Sequence, residues 1–129
     1  MQKMEVYKCE VCGKVMTILN PGAENTVCCG QNMTLMEPKT DDWKGEKHVP
    51  HITIDGNKVT VDVGIEMGTP HPMTNEHWIM WIELIMKDGT SLRKFLNPGD
   101  EPKVIFMVDS TDDIWAREYC NLHGLWKSS

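Results

Sequence analysis

Three features that would assign this chain to a well-known class are missing from the sequence. Its 129 residues carry a formal net charge of −6 and no cluster of Lys and Arg, so we expect no nucleic-acid partner. The longest apolar run, residues 78–86, is interrupted by Glu83 and is too short to span a bilayer. Charged residues occur within the first ten positions, which leaves no apolar segment for a signal peptide. These absences predict a cytoplasmic protein that does not bind membranes.

Helical periodicity is missing as well, and strand periodicity takes its place. No window combines a sustained 3.6-residue spacing with helix caps. From residue 48 onward the apolar residues alternate instead, and the turns between them contain Gly, Pro, Asn and Asp. Seven strands are predicted, at residues 52–54, 58–63, 78–86, 91–96, 104–108, 114–119 and 124–126. Short strands at this spacing are typical of a β-sandwich.

Large apolar residues are scarce in the first part of the chain. Residues 1–37 are rich in Cys and Gly and cannot bury much of a hydrophobic core. Units of this size usually need a metal or a disulfide in order to fold. Residues 38–45 are polar and typical of a linker. The sequence therefore predicts a small metal-binding domain at 1–37, a linker at 38–45 and a sandwich domain at 46–129.

Four of the five cysteines lie in the first of these segments. Cys9 and Cys12 are separated by two residues, which lets both sulfur atoms face one ion. Cys28 and Cys29 are adjacent, and a disulfide between neighbours would be strained. In a cytoplasmic protein the four thiols are better explained as metal ligands. They predict a tetrahedral site, and the residues alone favour zinc and iron about equally.

A fifth cysteine stands far from the other four and has a histidine three residues later. Cys120 and His123 follow the predicted strand at residues 114–119, close enough to share one ion. Taken alone, Cys120 is better explained as a buried thiol that packs like a small apolar residue. His51 has no motif around it, and we assign it no role in a site.

Three further histidines make a metal site the stronger interpretation. His48 and His71 each stand just before a proline that extends the backbone, and His77 opens the predicted strand at residues 78–86. All five candidate ligands thus fall on loops and strand ends, where they can meet at one end of a sandwich. Four imidazoles and a thiolate exceed the four ligands of a structural zinc. They favour a five-coordinate iron with one open position.

Taken together, these motifs resemble those of desulfoferrodoxin, the two-iron form of superoxide reductase. The resemblance extends over nearly the whole chain, and the motifs occur in the family's order. It rests on four sets of residues: Cys9-x-x-Cys12 with Cys28-Cys29, Glu46-Lys47-His48-Val49-Pro50, His71-Pro72-Met73 followed by His77, and Glu118-Tyr119-Cys120-Asn121-Leu122-His123-Gly124.

The resemblance implies two iron ions in each chain, with different ligands and roles. The first would be a desulforedoxin-like tetrathiolate iron that relays electrons or supports the structure, held by Cys9, Cys12, Cys28 and Cys29. The second would be the catalytic iron, with Cys120 as its axial thiolate. Its four imidazoles would be His48, His71, His77 and His123. Beside this iron, Glu46 corresponds to a carboxylate that closes on the ferric ion, and Lys47 to a cationic active-site residue.

By the same resemblance, the protein would reduce superoxide by one electron to hydrogen peroxide. The larger domain would be a seven-stranded immunoglobulin-like sandwich, the chain would form a homodimer, and a rubredoxin-like protein would donate electrons. The residues alone leave two alternatives. One is a rubredoxin-like electron carrier that holds iron only at the four clustered cysteines, and the other is a zinc-binding interaction module.

Overall fold

The fold consists of β-strands joined by turns and loops, as the sequence predicts. The computed structural model describes residues 1–42 and 47–128, and that part of the chain contains no helix. It therefore contains no helix long and apolar enough to cross a membrane. The chain divides into two compact units, Met1–Glu37 and Pro38–Ser129.

The first unit contains five strands of two or three residues each. β1 (Val6–Lys8) lies between β2 (Val15–Thr17) and β5 (Thr34–Met36) in an antiparallel sheet. β3 (Val27–Cys28) pairs with β4 (Gln31–Asn32). The sequence did not predict these strands, because so few residues show no alternation. Within this unit the buried apolar side chains are Val6, Cys9, Ile18 and Met33.

The second unit is a sandwich of two antiparallel sheets. In the three-stranded sheet, β7 (Lys58–Asp62) lies between β6 (His51–Asp55) and β10 (Lys103–Met107). The four-stranded sheet has the order β12-β11-β8-β9. Its strands are β8 (Ile79–Ile85), β9 (Ser91–Phe95), β11 (Trp115–Cys120) and β12 (Gly124–Lys127). The seven predicted strands are confirmed, each to within one residue at either end.

The hydrophobic core of this unit lies between its two sheets. Val59 and Phe106 enter it from the three-stranded sheet, and Ile82 and Leu84 enter it from the four-stranded sheet. Burying a side chain of this kind stabilises the fold by about 1.5–3 kcal/mol. Cys120 belongs to the same cluster and is fully buried. A candidate metal ligand is thus fixed by the packing of the sandwich itself.

A β-bulge shapes the end of the core next to this cysteine. Along β11 and β8, Tyr119 pairs with Trp81 and the next residue, Cys120, pairs with Ile79. Met80 is therefore an extra residue on β8. The extra residue brings Ile79 onto the core face beside Cys120, at the point where regular pairing ends and the loops begin.

Candidate metal centres

Four thiols meet in the first unit, in the turn that follows β1 and at the end of β3. The sulfur atoms of Cys12 and Cys28 are 3.7 Å apart, and those of Cys28 and Cys29 are 3.9 Å apart. A tetrahedral ion with metal–sulfur bonds of about 2.3 Å has sulfur–sulfur edges of roughly 3.8 Å. The structure brings all four predicted ligand sulfurs within 4.8 Å of one another, at Cys9, Cys12, Cys28 and Cys29. Their spacing fits one tetrahedral ion.

Left-handed backbone conformations close both cysteine turns. Gly13, with φ of +82°, donates its N–H to the carbonyl of Cys9 at 2.9 Å. In the second turn Cys29 has φ of +53° and Gly30 has φ of +77°. A non-glycine residue adopts this region at a cost of about 1–2 kcal/mol. The turn at Cys28 and Cys29 is therefore held against an intrinsic backbone preference, and it lets two adjacent sulfurs approach the same point.

The electrostatics of this cluster favour a bound cation. Backbone donation from Cys12, whose nitrogen lies 3.5 Å from the Cys9 sulfur, lowers the pKa of Cys9 to about 6. Hydrogen bonds to the sulfurs of Cys12 and Cys9 raise the pKa of Cys29 to about 12, because the neighbouring sulfurs hold its proton. A metal ion that replaces the shared protons would let all four sulfurs ionise together.

Four histidine rings form a closed circuit in the second unit, and each contacts two others edge to face. The centroid distances are 4.8 Å for His48–His71, 4.7 Å for His71–His77, 5.0 Å for His77–His123 and 4.9 Å for His123–His48. A square with sides of this length has its centre about 3.4 Å from each corner. A ring nitrogen about 2.0–2.1 Å from a metal places its ring centroid at roughly that distance. The circuit therefore encloses a space that fits one transition-metal ion.

Cys120 adds a fifth donor to this histidine circuit. Its sulfur lies within 4.8 Å of ligand nitrogens on His48 and His123, and within the same distance of those on His71 and His77. Because these pairs are opposite sides of the circuit, the sulfur lies over it and not at a fifth corner. Imidazole suits iron, copper and zinc, and a thiolate donates electron density strongly. The donor set fits a redox-active iron.

Two contacts hold His48 in place. One carboxylate oxygen of Asp42 accepts hydrogen bonds from the backbone N–H groups of His48 and Val49, at 2.8 and 2.7 Å. The indole ring of Trp126, on β12, stacks on the His48 ring with centroids 4.4 Å apart and planes 12° from parallel. His48 is fully buried as a result, and its ring has little freedom to leave the circuit.

His71 depends on a loop that folds back on itself. The backbone N–H of His71 donates to the Val63 carbonyl at 3.0 Å, and the backbone N–H of Thr69 donates to the Gly64 carbonyl at 2.8 Å. Gly64 has φ of +87°, and a Cβ there would lie 2.0 Å from the Thr69 carbonyl oxygen. Nδ1 of His71 lies 2.7 Å from the Pro72 carbonyl. Since a carbonyl only accepts, Nδ1 carries the proton and Nε2 is left to bind a metal.

Asn121 ties the Cys120–His123 turn to the segment that carries His77. Its side-chain oxygen accepts the N–H of Trp78, and its side-chain nitrogen donates to the carbonyl of Glu76, both at 2.9 Å. The backbone N–H of Asn121 donates to the Trp78 carbonyl at 3.2 Å. The residues on both sides of His77 are therefore held by one asparagine that is adjacent to Cys120.

The remaining residues considered from the sequence are Glu46, Lys47 and His51. Glu46 lies outside the described residues. Lys47 is half-buried and directly precedes His48. His51 is exposed, and its Nδ1 lies 3.4 Å from a carboxylate oxygen of the buried Asp62.

Sequence reasoning missed three residues that position the ligands. Asn121 lies inside the Cys120–His123 motif, which is a signal that could have pointed to it. Trp126 gave no such signal, since tryptophan is ordinary at a buried strand position. Asp42 belongs to the polar stretch interpreted as a linker, and its role depends on contacts that spacing does not reveal.

Both units match known families. The family model described as "Desulfoferrodoxin" matches residues 40–129, and the model described as "Desulfoferrodoxin, N-terminal domain" matches residues 1–36. Together the two matches cover nearly the whole chain.

Similar proteins extend over the same length. A desulfoferrodoxin homolog of Archaeoglobus fulgidus is 54% identical over 125 residues, which is 97% of this chain and 96% of that protein. The desulfoferrodoxin of Nitratidesulfovibrio vulgaris is 49% identical over 126 residues, which is 96% of this chain and 94% of that protein. Among solved structures, the superoxide reductase from Treponema pallidum superposes with a TM-score of 0.75 at 27% identity, with full coverage of both chains.

Proposed function

The chain belongs to the desulfoferrodoxin family, and on this premise we propose that it is a superoxide reductase. It reduces superoxide to hydrogen peroxide, with one electron from a donor and two protons from the medium. The observation that carries the proposal is the closed circuit of four imidazoles with a buried thiol over it. The similar fold of the Treponema pallidum enzyme supports it.

The donor set explains why iron at this site can act on an anion. An iron ion bound there supplies one electron to superoxide and regains it from the donor. The four imidazoles are neutral ligands and the Cys120 thiolate carries one negative charge, so a ferrous centre keeps a net positive charge that attracts superoxide. The Cys120 thiolate donates electron density to the ion. The Cys120 side chain is fully buried.

Two charged residues beside His48 are assigned roles toward the substrate. Lys47 is the cation that attracts superoxide to the site of an otherwise acidic protein and helps to deliver protons. Glu46 is the carboxylate that would bind a ferric ion held by the five donors. Both assignments come from the family motif Glu46-Lys47-His48.

The four cysteines of the first unit are assigned the second iron. This iron relays electrons to the catalytic centre or holds its own small domain together. We assign residues 1–37 to that domain and residues 46–129 to the reductase domain. A rubredoxin-like donor, a homodimeric assembly and a cytoplasmic location complete the proposal.

Metal analysis and visible spectroscopy of Cys120→Ser test the proposal directly. We expect two irons per chain in the unmodified protein, and a thiolate-to-iron absorption band that Cys120→Ser removes. Superoxide should be consumed with release of peroxide and without release of oxygen, and the rate should fall at least 100-fold in Cys120→Ser. Cys12→Ser is the matched control, since it removes a thiolate from the other cluster and should leave this band in place.

Two outcomes would overturn the proposal. A colourless protein that holds zinc at the four clustered cysteines would identify an interaction module. A protein with one iron per chain, whose spectrum is identical in Cys120→Ser, would identify an electron carrier.

A further inference from the structure

Lys39 lies outside every sequence motif, yet the fold places its side chain against the five-ligand site. Its ammonium group donates to the carbonyl oxygen of His123 at 2.9 Å. It also lies 4.9 Å from the centre of the Trp126 ring, within the range of a cation–π interaction. One cation thus contacts the backbone of one ligand and the ring that covers another.

The backbone of Lys39 is fixed by the edge of the sandwich. Its N–H donates to the Leu125 carbonyl at 3.0 Å, and its own carbonyl accepts the N–H of Lys127 at 2.9 Å. These bonds form a parallel bridge between Lys39 and Trp126 of β12. The side chain is exposed, but it starts from a backbone position that the sheet holds.

Trp126 connects this cation to a second ligand. The indole N–H donates to the same His123 carbonyl at 3.1 Å, so that oxygen accepts from both Lys39 and Trp126. The indole ring also stacks on His48 with centroids 4.4 Å apart. His48 and His123 are adjacent members of the histidine circuit. A positive charge at Lys39 is therefore held on the backbone carbonyl of one ligand and against the indole that stacks on the adjacent ligand.

We propose that Lys39 is a positioning residue that tunes the iron centre electrostatically: its ammonium holds the His123 carbonyl and favours the ferrous over the ferric ion. Oxidation adds a positive charge at the metal, and a fixed cation close by opposes that step. Because the Lys39 side chain is exposed, salt screens part of the effect. The inference rests on the proposed function, since it assumes iron at this site.

A charge series at Lys39 in the iron-loaded full-length protein tests this inference. Redox titrations would follow the absorption band that Cys120→Ser removes, which reports this iron alone. At low ionic strength, Lys39→Met should lower the ratio of ferrous to ferric iron at a fixed solution potential by about three- to tenfold, where tenfold corresponds to 59 mV for a one-electron couple. Lys39→Glu should lower it further, and Lys39→Arg should keep it close to the original value. The shifts should shrink in high salt.

The controls separate charge from shape and this inference from the proposed function. If Lys39→Met titrates like the unmodified protein while its absorption band is intact, the inference fails and the reductase assignment stands. If Lys39→Arg lowers the ratio of ferrous to ferric iron as much as Lys39→Met does, the shape of the side chain matters and its charge does not. The electrostatic role is then wrong. If the unmodified protein shows no such band, the proposed function fails together with this inference.

Discussion

The two candidate metal sites are assembled from very different stretches of chain. The four thiols of the first unit come from two tight turns between residues 9 and 29, inside a unit with four buried apolar residues. The five donors of the second unit come from segments between residues 48 and 123, and one of them, Cys120, is part of a continuous sandwich core. The first site is a local cluster in a unit with few buried apolar residues, whereas the second is joined to a larger hydrophobic core through Cys120.

This contrast separates two relations between metal and fold. In the first unit the metal is expected to supply the folding free energy that the small core lacks. In the second unit the sandwich is expected to form first and to offer a preorganised site. Three predictions test the contrast, and each includes a matched comparison.

Removal of the metals should produce the largest difference between the two units. In metal-free full-length protein, residues 1–37 should lose all slowly exchanging amides, since a structural zinc in small thiolate sites contributes about 10–16 kcal/mol to folding. The strands β7, β8 and β11 should retain their protection. Residue-resolved hydrogen exchange by NMR measures both in one sample. A first unit that keeps its protection without metal would show that its core suffices.

Gly64→Ala should be the most damaging single change to the second site outside its ligands. The new Cβ would lie 2.0 Å from the backbone oxygen of Thr69, so the loop that holds His71 cannot close without moving. We expect a loss of about 3 kcal/mol in the free energy of unfolding of the sandwich, measured by urea titration, together with weaker iron binding.

Gly68→Ala is the matched control for this prediction. Gly68 has a similar φ of +78°, but a Cβ there meets no atom within 4 Å. Gly68→Ala should lower the free energy of unfolding by only about 1 kcal/mol, because it adds only the strain of the left-handed backbone. If both variants lose the same amount of stability, the close approach of the Thr69 carbonyl to Gly64 is not what shapes the loop.

Asn121→Ala should have a smaller effect, concentrated on metal binding. It removes the two side-chain hydrogen bonds that hold the backbone on either side of His77. We expect this to lower the free energy of unfolding by about 1–2 kcal/mol. The affinity for iron should fall about 10- to 100-fold, as when the outer partners of metal ligands are lost. Competition with a chelator measures the affinity.

Leu122→Ala provides the control, since Leu122 lies in the same turn and its side chain is 58% exposed. The free energy of unfolding of Leu122→Ala should differ from that of the unmodified protein by less than about 0.5 kcal/mol. An Asn121→Ala protein that binds iron as tightly as Leu122→Ala would show that the sandwich positions His77 without help from the asparagine.

The predictable part of the fold was the part with strands long enough to show a pattern between clear turns. Strands such as β7 followed from alternating apolar residues, whereas β8 followed from a run of apolar and aromatic residues and is buried along nearly its whole length. The five strands of the first unit did not follow, since a strand such as Val27–Cys28 is too short to alternate. The domain limits and the roles of Glu46 and Lys47 stay predictions.

The sequence alone shows which neighbouring residues of each cluster can bind the same ion. Two residues between Cys9 and Cys12, and two between Cys120 and His123, place each pair within reach of one ion whatever the remaining fold. Such spacing acts through covalent geometry over a few bonds. The sequence therefore determined which residue types are available to bind a metal, and the motif resemblance supplied the way they are grouped.

Only the tertiary structure decided how the distant donors meet. The closed circuit of His48, His71, His77 and His123 exists because the sandwich brings three separate segments together, one of which carries both His71 and His77. The contacts of Asp42, Lys39 and Trp126 exist for the same reason, although no motif contains them. Contacts such as that of Lys39 with His123 join residues far apart in the chain. Their distances are set by the packing of the whole core, which no local pattern encodes.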